Sequence, residues 1–305
     1  MKEPPRAAVL DVGCFSAHLV VVGPGPHTLR RPLLSHKVRL RLDRAIDPAG
    51  RIDASGIDHI GEAVSQIQER LDEVRVSKFV PYATSSVRDA ANVDEVIATV
   101  ARRTGVVLRL LSGEREARLS YLAARRWLGA ERALTVLDVG GGTIELAAGD
   151  GARPVIARSL PLGARTLTRA GLTSSERIPE MRAALRRRIA ESVPDDVLAA
   201  LADGKAIGCS TVFRQLAKLV GAHTRRTGPP RLRLADLRTW IPRLAELPPH
   251  RRAELPGISR HRARQSLAGA VVAETLMTAT NHKVIDICPW SSKEGLLISM
   301  LEKLG

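Results

Sequence analysis

Cysteine is nearly missing from this chain, with only Cys14, Cys209 and Cys288 among 305 residues. That excludes a disulfide framework, and the three are not spaced as metal ligands. Aromatic residues make up 3% of the chain, so platforms for stacking the bases of a single strand are scarce. No apolar run approaches the roughly 20 residues of a membrane-spanning helix. The first strand-like segment follows MKEPPR directly, with no signal-peptide h-region before it. These absences point to a cytoplasmic protein with no membrane partner. Acidic side chains are the minority, 32 against 47 Lys and Arg, for a net charge of +15. A surface of that sign concentrates polyanions and speeds their capture. Nucleotides and inorganic polyphosphate qualify, and nucleic acid as an incidental ligand.

The chain is long enough for two domains, each with its own core. Its 44% hydrophobic and 26% charged residues are ordinary for a globular protein. What stands out is a strand–turn–strand unit around residues 134–149. An apolar run ends in Asp138, Gly140, Gly141, Gly142 and Thr143 follow, and a second apolar run begins at Ile144. The glycines allow close backbone approach to a ligand, and successive N–H groups in such a turn form an anion nest. A carboxylate at the mouth of that nest makes sense if a cation lies between the two. Near the N-terminus, Asp11, Val12 and Gly13 end one apolar run, and Cys14, Phe15, Ser16, Ala17 and His18 lead into another. Two such units about 127 residues apart, counted from Asp11 to Asp138, suggest a duplicated fold with one polyphosphorylated ligand held by both halves.

Between the units, 24–26 reads as a turn and 29–42 as one or two strands. Lys37, Arg39 and Arg41 there share a face by period 2, a row of cations fit for a polyanion or for solvent. A helix opens at Asp53, with Ile57, Ile60, Val64 and Ile67 in a 3.6-residue pattern. Arg88 sits at a strand-to-helix junction, where it can meet an anion. After a strand over 106–111, a helix runs from Ser112 to about Leu128. Glu116 falls off the core face marked by Leu119, Leu122, Ala123 and Trp127, which by itself reads as an exposed helix glutamate. The second half continues with a strand to Leu160, an arginine-rich helix over 180–191 and a short strand ending near Ser210. A basic loop over 225–233, two more helices, a strand over 284–287 and a last helix over 292–304 complete it.

Taken in order, these motifs resemble the exopolyphosphatase/guanosine pentaphosphate phosphatase (Ppx/GppA) family in its short, two-domain form. Asp11 to His18 is similar to the family's D-x-G-S-N-[ST]-x-[RH], and Ala83 to Asn92 to its A-T-[SA]-x-[VL]-R-x-A-x-N. Ser112 to Ala117 is similar to S-G-x-E-E-A, and Asp138 to Glu145 to D-[IV]-G-G-G-[ST]-x-E. Ser159 to Ala164 and Lys293-Glu294-Gly295 also fit. The resemblance implies two actin-like, ribonuclease H-like α/β domains facing across a phosphate-binding cleft, over 1–128 and 129–305, with the last helix free to pack back on the first. It implies Mg²⁺-dependent hydrolysis of terminal phosphoanhydride bonds of polyphosphate, with pppGpp as the alternative substrate, and a homodimer. Glu116 would be the catalytic base, with Arg88 offsetting charge on the transferring phosphoryl group. Asp11, Asp138 and Glu145 would hold the metal. Phosphate contacts would come from Gly13, Cys14, Ser16, Lys37, Arg41, Gly140, Gly141, Gly142, Thr143 and Ser210.

Three departures bear on activity. Cys14-Phe15 stands where the family has Ser-Asn, and a bulky ring at a phosphate loop either blocks it or turns away. Lys293 replaces an arginine and loses bidentate pairing. Gly208-Cys209-Ser210-Thr211 only partly follows the family's A-S-G-T. Glu116, Asp138, Arg88 and the glycines remain, which favours residual activity, and a catalytically weakened polyphosphate- or alarmone-binding regulator is the alternative these departures raise.

Overall fold

The computed structural model describes residues 4–25, 27–129, 132–221 and 228–303. Pro26 of the first turn, Arg225 of the basic loop and the helix end at Leu304 lie outside them. The chain divides into two compact units, one formed by 1–112 with 293–305, the other by 113–292.

The first unit carries β1 (Ala7–Val12), β2 (Ser16–Val22), β3 (Leu34–Arg39), α1 (Leu42–Ala45), α2 (Ala54–Asp72), β4 (Lys78–Ala83), α3 (Ser85–Arg88), α4 (Val93–Thr104) and β5 (Arg109–Leu110). The second carries α5 (Gly113–Leu128), β6 (Leu134–Val139), β7 (Ile144–Gly149), β8 (Ile156–Leu160), α6 (Ala164–Arg169), α7 (Ile178–Ser192), α8 (Asp195–Ala202), β9 (Lys205–Cys209), α9 (Ser210–Leu219), β10 (Arg231–Arg233), α10 (Leu234–Glu246), α11 (Pro249–Arg252), α12 (Ser266–Ala279) and β11 (Val284–Ile287). The last helix, α13 (Ser292–Leu301), belongs almost wholly to the first unit.

Each unit is built on one sheet, ordered β3-β2-β1-β4-β5 in the first and β10-β11-β9-β6-β7-β8 in the second. In the first, β1, β2 and β3 form an antiparallel meander, and β4 and β5 run parallel to β1. In the second, β6, β7 and β8 form the meander, with β9 parallel to β6 and β11 parallel to β9. Apart from the added β10, the two sheets have the same order, the actin-like, ribonuclease H-like arrangement expected from the duplicated loops. The chain passes from β3 at one edge to β4 on the far side of β1, a parallel connection that demands a crossover, and α2 supplies it.

The sequence pattern explains the packing. Ile57, Ile60, Val64 and Ile67 form the buried stripe of α2, against Leu10, Leu19, Val96 and Val100. Asp53 caps that helix, its carboxylate accepting from Gly56 N at 2.8 Å. That bond also lowers the Asp53 pKa below the ordinary carboxylate value. In the second unit every residue of β6 is buried, as befits a central strand covered on both faces. Helix α12 is buried almost all round, so its sequence reads as apolar without a polar stripe.

Three sequence expectations shift here. The strand read over 106–111 is only two residues long, β5, and Arg231–Arg233 is strand β10 rather than loop. The proposed boundary at 128 put α5 in the first domain, whereas α5 belongs to the second unit. The reason is packing. Ser120 Oγ donates to Asp138 on β6, and Tyr121 Oη donates to Gly151 O at 2.9 Å, just past β7.

Candidate active site

The two glycine loops are built alike. In the second unit, Asp138 pairs with Glu145 and Val139 with Ile144 across β6 and β7, and Gly140 N donates to Thr143 O at 2.9 Å. In the first, Asp11 pairs with His18 and Val12 with Ala17, and Gly13 N donates to Ser16 O at 3.0 Å. The N–H groups of Gly13 and Gly140 are therefore spent closing the turns. These two glycines shape the loops, and their N–H groups, expected to face phosphate, are bonded within the turns instead.

What aims those neighbours is the element that follows. Gly163 N donates to Gly142 O at 3.0 Å, Ala164 N to Gly140 O at 3.0 Å and Arg165 N to Gly141 O at 2.8 Å. The carbonyls of the second loop are thus held by the start of α6. The N–H groups of Gly141 and Gly142 make no backbone hydrogen bond among the described residues. Such a set of donors is an anion nest. The first loop follows the same plan, with Leu42 N donating to Cys14 O at 2.8 Å and Leu40 N to Phe15 O at 3.0 Å. Phe15 is 7% exposed and packs in the first unit's core. The ring turns inward, so it is core filling in place of the family's asparagine. Cys14, Cys209 and Cys288 are buried and none of them forms a disulfide.

The acidic groups gather in the second unit. Asp138, Glu145 and Glu116 are each at most 8% exposed. Glu116 is therefore not the exposed helix glutamate that the α5 pattern indicated. The apolar stripe of α5 marks only part of its covered face, because this helix also packs along strand ends where carboxylates sit. Asp138 Oδ2 accepts from Ser120 Oγ at 3.2 Å, and Glu145 Oε1 from Ser159 Oγ at 3.0 Å. Directly opposed carboxylates repel across an antiparallel pair, so this is a natural seat for a divalent cation. Among the described residues no three His, Cys, Asp or Glu form a metal cluster. A pair of carboxylates nevertheless fits Mg²⁺, which is usually held by one or two together with substrate phosphates.

The first unit brings cations together instead. Lys37, His18, Asp11 and Tyr82 lie in one row across β3, β2, β1 and β4. Lys293 Nζ donates to His18 Nδ1 at 2.9 Å, which leaves the imidazole proton on Nε2, facing Ser35 Oγ at 3.0 Å. Asp11 Oδ1 is buried without a hydrogen-bond partner among the described residues. Burial pushes the Asp11 carboxyl above its ordinary pKa, while Lys293 and Lys37 pull the other way. An orphaned hard oxygen of this kind also suits a metal or a metal-bound water.

Other expected residues lie differently. Arg88 donates from Nε and Nη2 to both carboxylate oxygens of Asp89, at 2.8 and 3.1 Å, and from Nη1 to Leu111 O at 2.8 Å. Much of its donor fork is committed within its own unit. Arg41 follows the end of β3 in a left-handed conformation, φ 68°, so it leaves the period-2 row that Lys37 and Arg39 keep. Ser210 starts α9 with φ 86°. That angle explains why the family motif has glycine at this position. Ser210→Gly is expected to raise stability by about 1 kcal/mol, read as a higher urea midpoint at unchanged slope.

The sequence reading gives no role to Ser120, Ser159 or Arg165, although Ser159 opens one of the matching motifs. Arg165 is 9% exposed, and its Nη1 lies 4.0 Å from where a Gly141 Cβ would stand. Its place directly after Gly163-Ala164 was the available signal.

The Ppx/GppA phosphatase family matches residues 20–304. Exopolyphosphatase 1 of Mycobacterium tuberculosis is 39% identical over 97% of this chain and 88% of its own. An uncharacterised protein of Streptomyces coelicolor is 40% identical over 97% of this chain and 90% of its own. Among solved structures, an exopolyphosphatase from Cytophaga hutchinsonii superposes with a TM-score of 0.83 at 21% identity, covering 98% of this chain and 99% of that one. At that identity the likeness is one of fold.

Proposed function

We propose, since the chain belongs to the Ppx/GppA phosphatase family, that it is an exopolyphosphatase, a phosphoanhydride hydrolase that releases orthophosphate from the ends of inorganic polyphosphate. The observation that carries this reading is the burial of Glu116, Asp138 and Glu145 in the unit that also carries the Gly140–Thr143 nest. The exopolyphosphatase name of the Mycobacterium tuberculosis relative favours polyphosphate over pppGpp.

In this reading Glu116 accepts a proton from the attacking water. The water oxygen bonds to the terminal phosphorus, the bridging P–O bond breaks, and the shortened chain leaves with its negative charge. Gly141, Gly142 and Thr143 donate N–H groups to phosphate oxygens as that charge redistributes. Within the first unit, Ser16, Lys37 and the Cys14 backbone are the groups offered to phosphate, with Lys293 now added to the cationic row. In the second unit Asp138 and Glu145 would hold a cation; in the first, Asp11 is the carboxylate the resemblance gives the same role. A Mg²⁺ ion bound there would supply fixed positive charge to the phosphate oxygens. Arg88 is kept as a charge partner only through whatever part of its fork Asp89 and Leu111 leave. Phe15, being core, is a tolerated substitution. The family resemblance alone supports the homodimer.

The test is phosphate release from long-chain polyphosphate with Mg²⁺, with and without EDTA, alongside pppGpp. EDTA-sensitive release from polyphosphate is the expected result. Folded protein that binds polyphosphate and cuts neither substrate would mark a binder instead.

A further inference from the structure

We infer that Ser120 and Ser159 are positioning residues of the hydrolytic site, and that one face of α5 sets the base relative to both carboxylates. The inference rests on the exopolyphosphatase reading. Gly113, Glu116 and Ser120 recur at i, i+3 and i+7 of α5, which puts them on one face of the helix. Gly113 lies against Ser159, for a Cβ there would stand 2.2 Å from Ser159 Oγ and 2.3 Å from its Cβ. Ser159 Oγ in turn holds Glu145 Oε1. Glu116 follows one turn later, and Ser120 one turn beyond that, its Oγ on Asp138 Oδ2.

The Ser120 bond is not what a buried helix hydroxyl does by default. Such a group commonly turns back on the carbonyl four residues earlier. Thr168, Thr275, Thr278 and Thr280 all do so here. Ser120, 1% exposed, spends its proton on Asp138 instead. A carboxylate gripped at one oxygen by a buried hydroxyl has its plane fixed. Partners of this sort behind a cation's ligands typically contribute 10–100-fold in affinity or rate. Helix α5 therefore carries the base and registers both hydroxyl clamps.

Mn²⁺ titration followed by electron paramagnetic resonance, with steady-state kinetics on polyphosphate, tests this. Ser120→Ala is expected to weaken Mn²⁺ binding about 10-fold and lower kcat about 10-fold, with KM for polyphosphate unchanged. Ser120→Thr should restore most of both. Parent-like Mn²⁺ affinity and kcat in Ser120→Ala would overturn the inference. So would a loss that follows the melting temperature and is not rescued by threonine, which marks a merely structural hydroxyl. No Mn²⁺ binding by the parent up to millimolar concentration would overturn it too. A parent that binds Mn²⁺ without cutting polyphosphate would remove the substrate reading alone, and the Ser120→Ala titration would still decide the clamp.

Discussion

Glu116→Gln is expected to lower phosphate release from polyphosphate by about 10²- to 10⁴-fold, the range for loss of a positioned general base. The substitution keeps the size of the side chain and removes its ability to take a proton. Glu116 is 8% exposed, so solvent is poorly placed to replace it. Binding should survive, because in the proposed site the chain is held by the loops and their cations, not by the base. Phosphate release and polyphosphate binding, measured on the same preparation, separate the two effects. Equal turnover in mutant and parent would remove the role given to Glu116. Loss of binding together with turnover would instead mean that this side chain holds up the site.

Gly163→Ala is expected to cost at least about 1–3 kcal/mol of stability, the usual range for overpacking, and to reduce activity more than any other single methyl group added near the loop. The glycine's φ is −71°, so its backbone angle would suit alanine. The obstacle is space. An added Cβ would stand 2.5 Å from Gly141 C, Gly141 O and Gly142 C. These are backbone atoms of the nest itself and cannot swing aside as a side-chain tip can. Either α6 withdraws, breaking the bonds that Gly163, Ala164 and Arg165 make to the loop carbonyls, or the loop moves and its N–H groups lose their aim. A misplacement of about 1 Å in a positioned site can cost about 100-fold in rate. Thermal unfolding and phosphate release would show both effects, and a variant with parental values in both would refute the contact.

The duplicated loops were legible because their chemistry is local. A glycine turn between two apolar runs, with a carboxylate ahead of it, needs no distant partner to be recognised. The order of Asp11, Arg88, Glu116 and Asp138 likewise survives in one dimension, and it carried the family resemblance. The α2 stripe and its Asp53 cap are local as well, since helix periodicity and capping span a few residues.

The remaining features depended on which surfaces meet. Phe15 could block a phosphate or fill a core, and only the packing of the first unit chose the core. Glu116 looked exposed, because a helix pattern reveals its apolar stripe and says nothing of a polar face pressed on strand ends. Arg41 kept the alternation of a strand that had already ended, and a left-handed φ took it out of the row. Ser120 and Ser159 are 39 residues apart in the chain, from their numbers 120 and 159, and serines of this kind are common. They become informative only when the fold sets their hydroxyls on Asp138 and Glu145. By itself, then, the sequence determined the two loops and most of the sheet-and-helix order, because each is written in neighbouring residues, while Glu116 as candidate base came only through the family resemblance those motifs carry. The tertiary structure decided which side chains are buried and which hydroxyl holds which carboxylate, because those contacts join segments that the chain keeps apart.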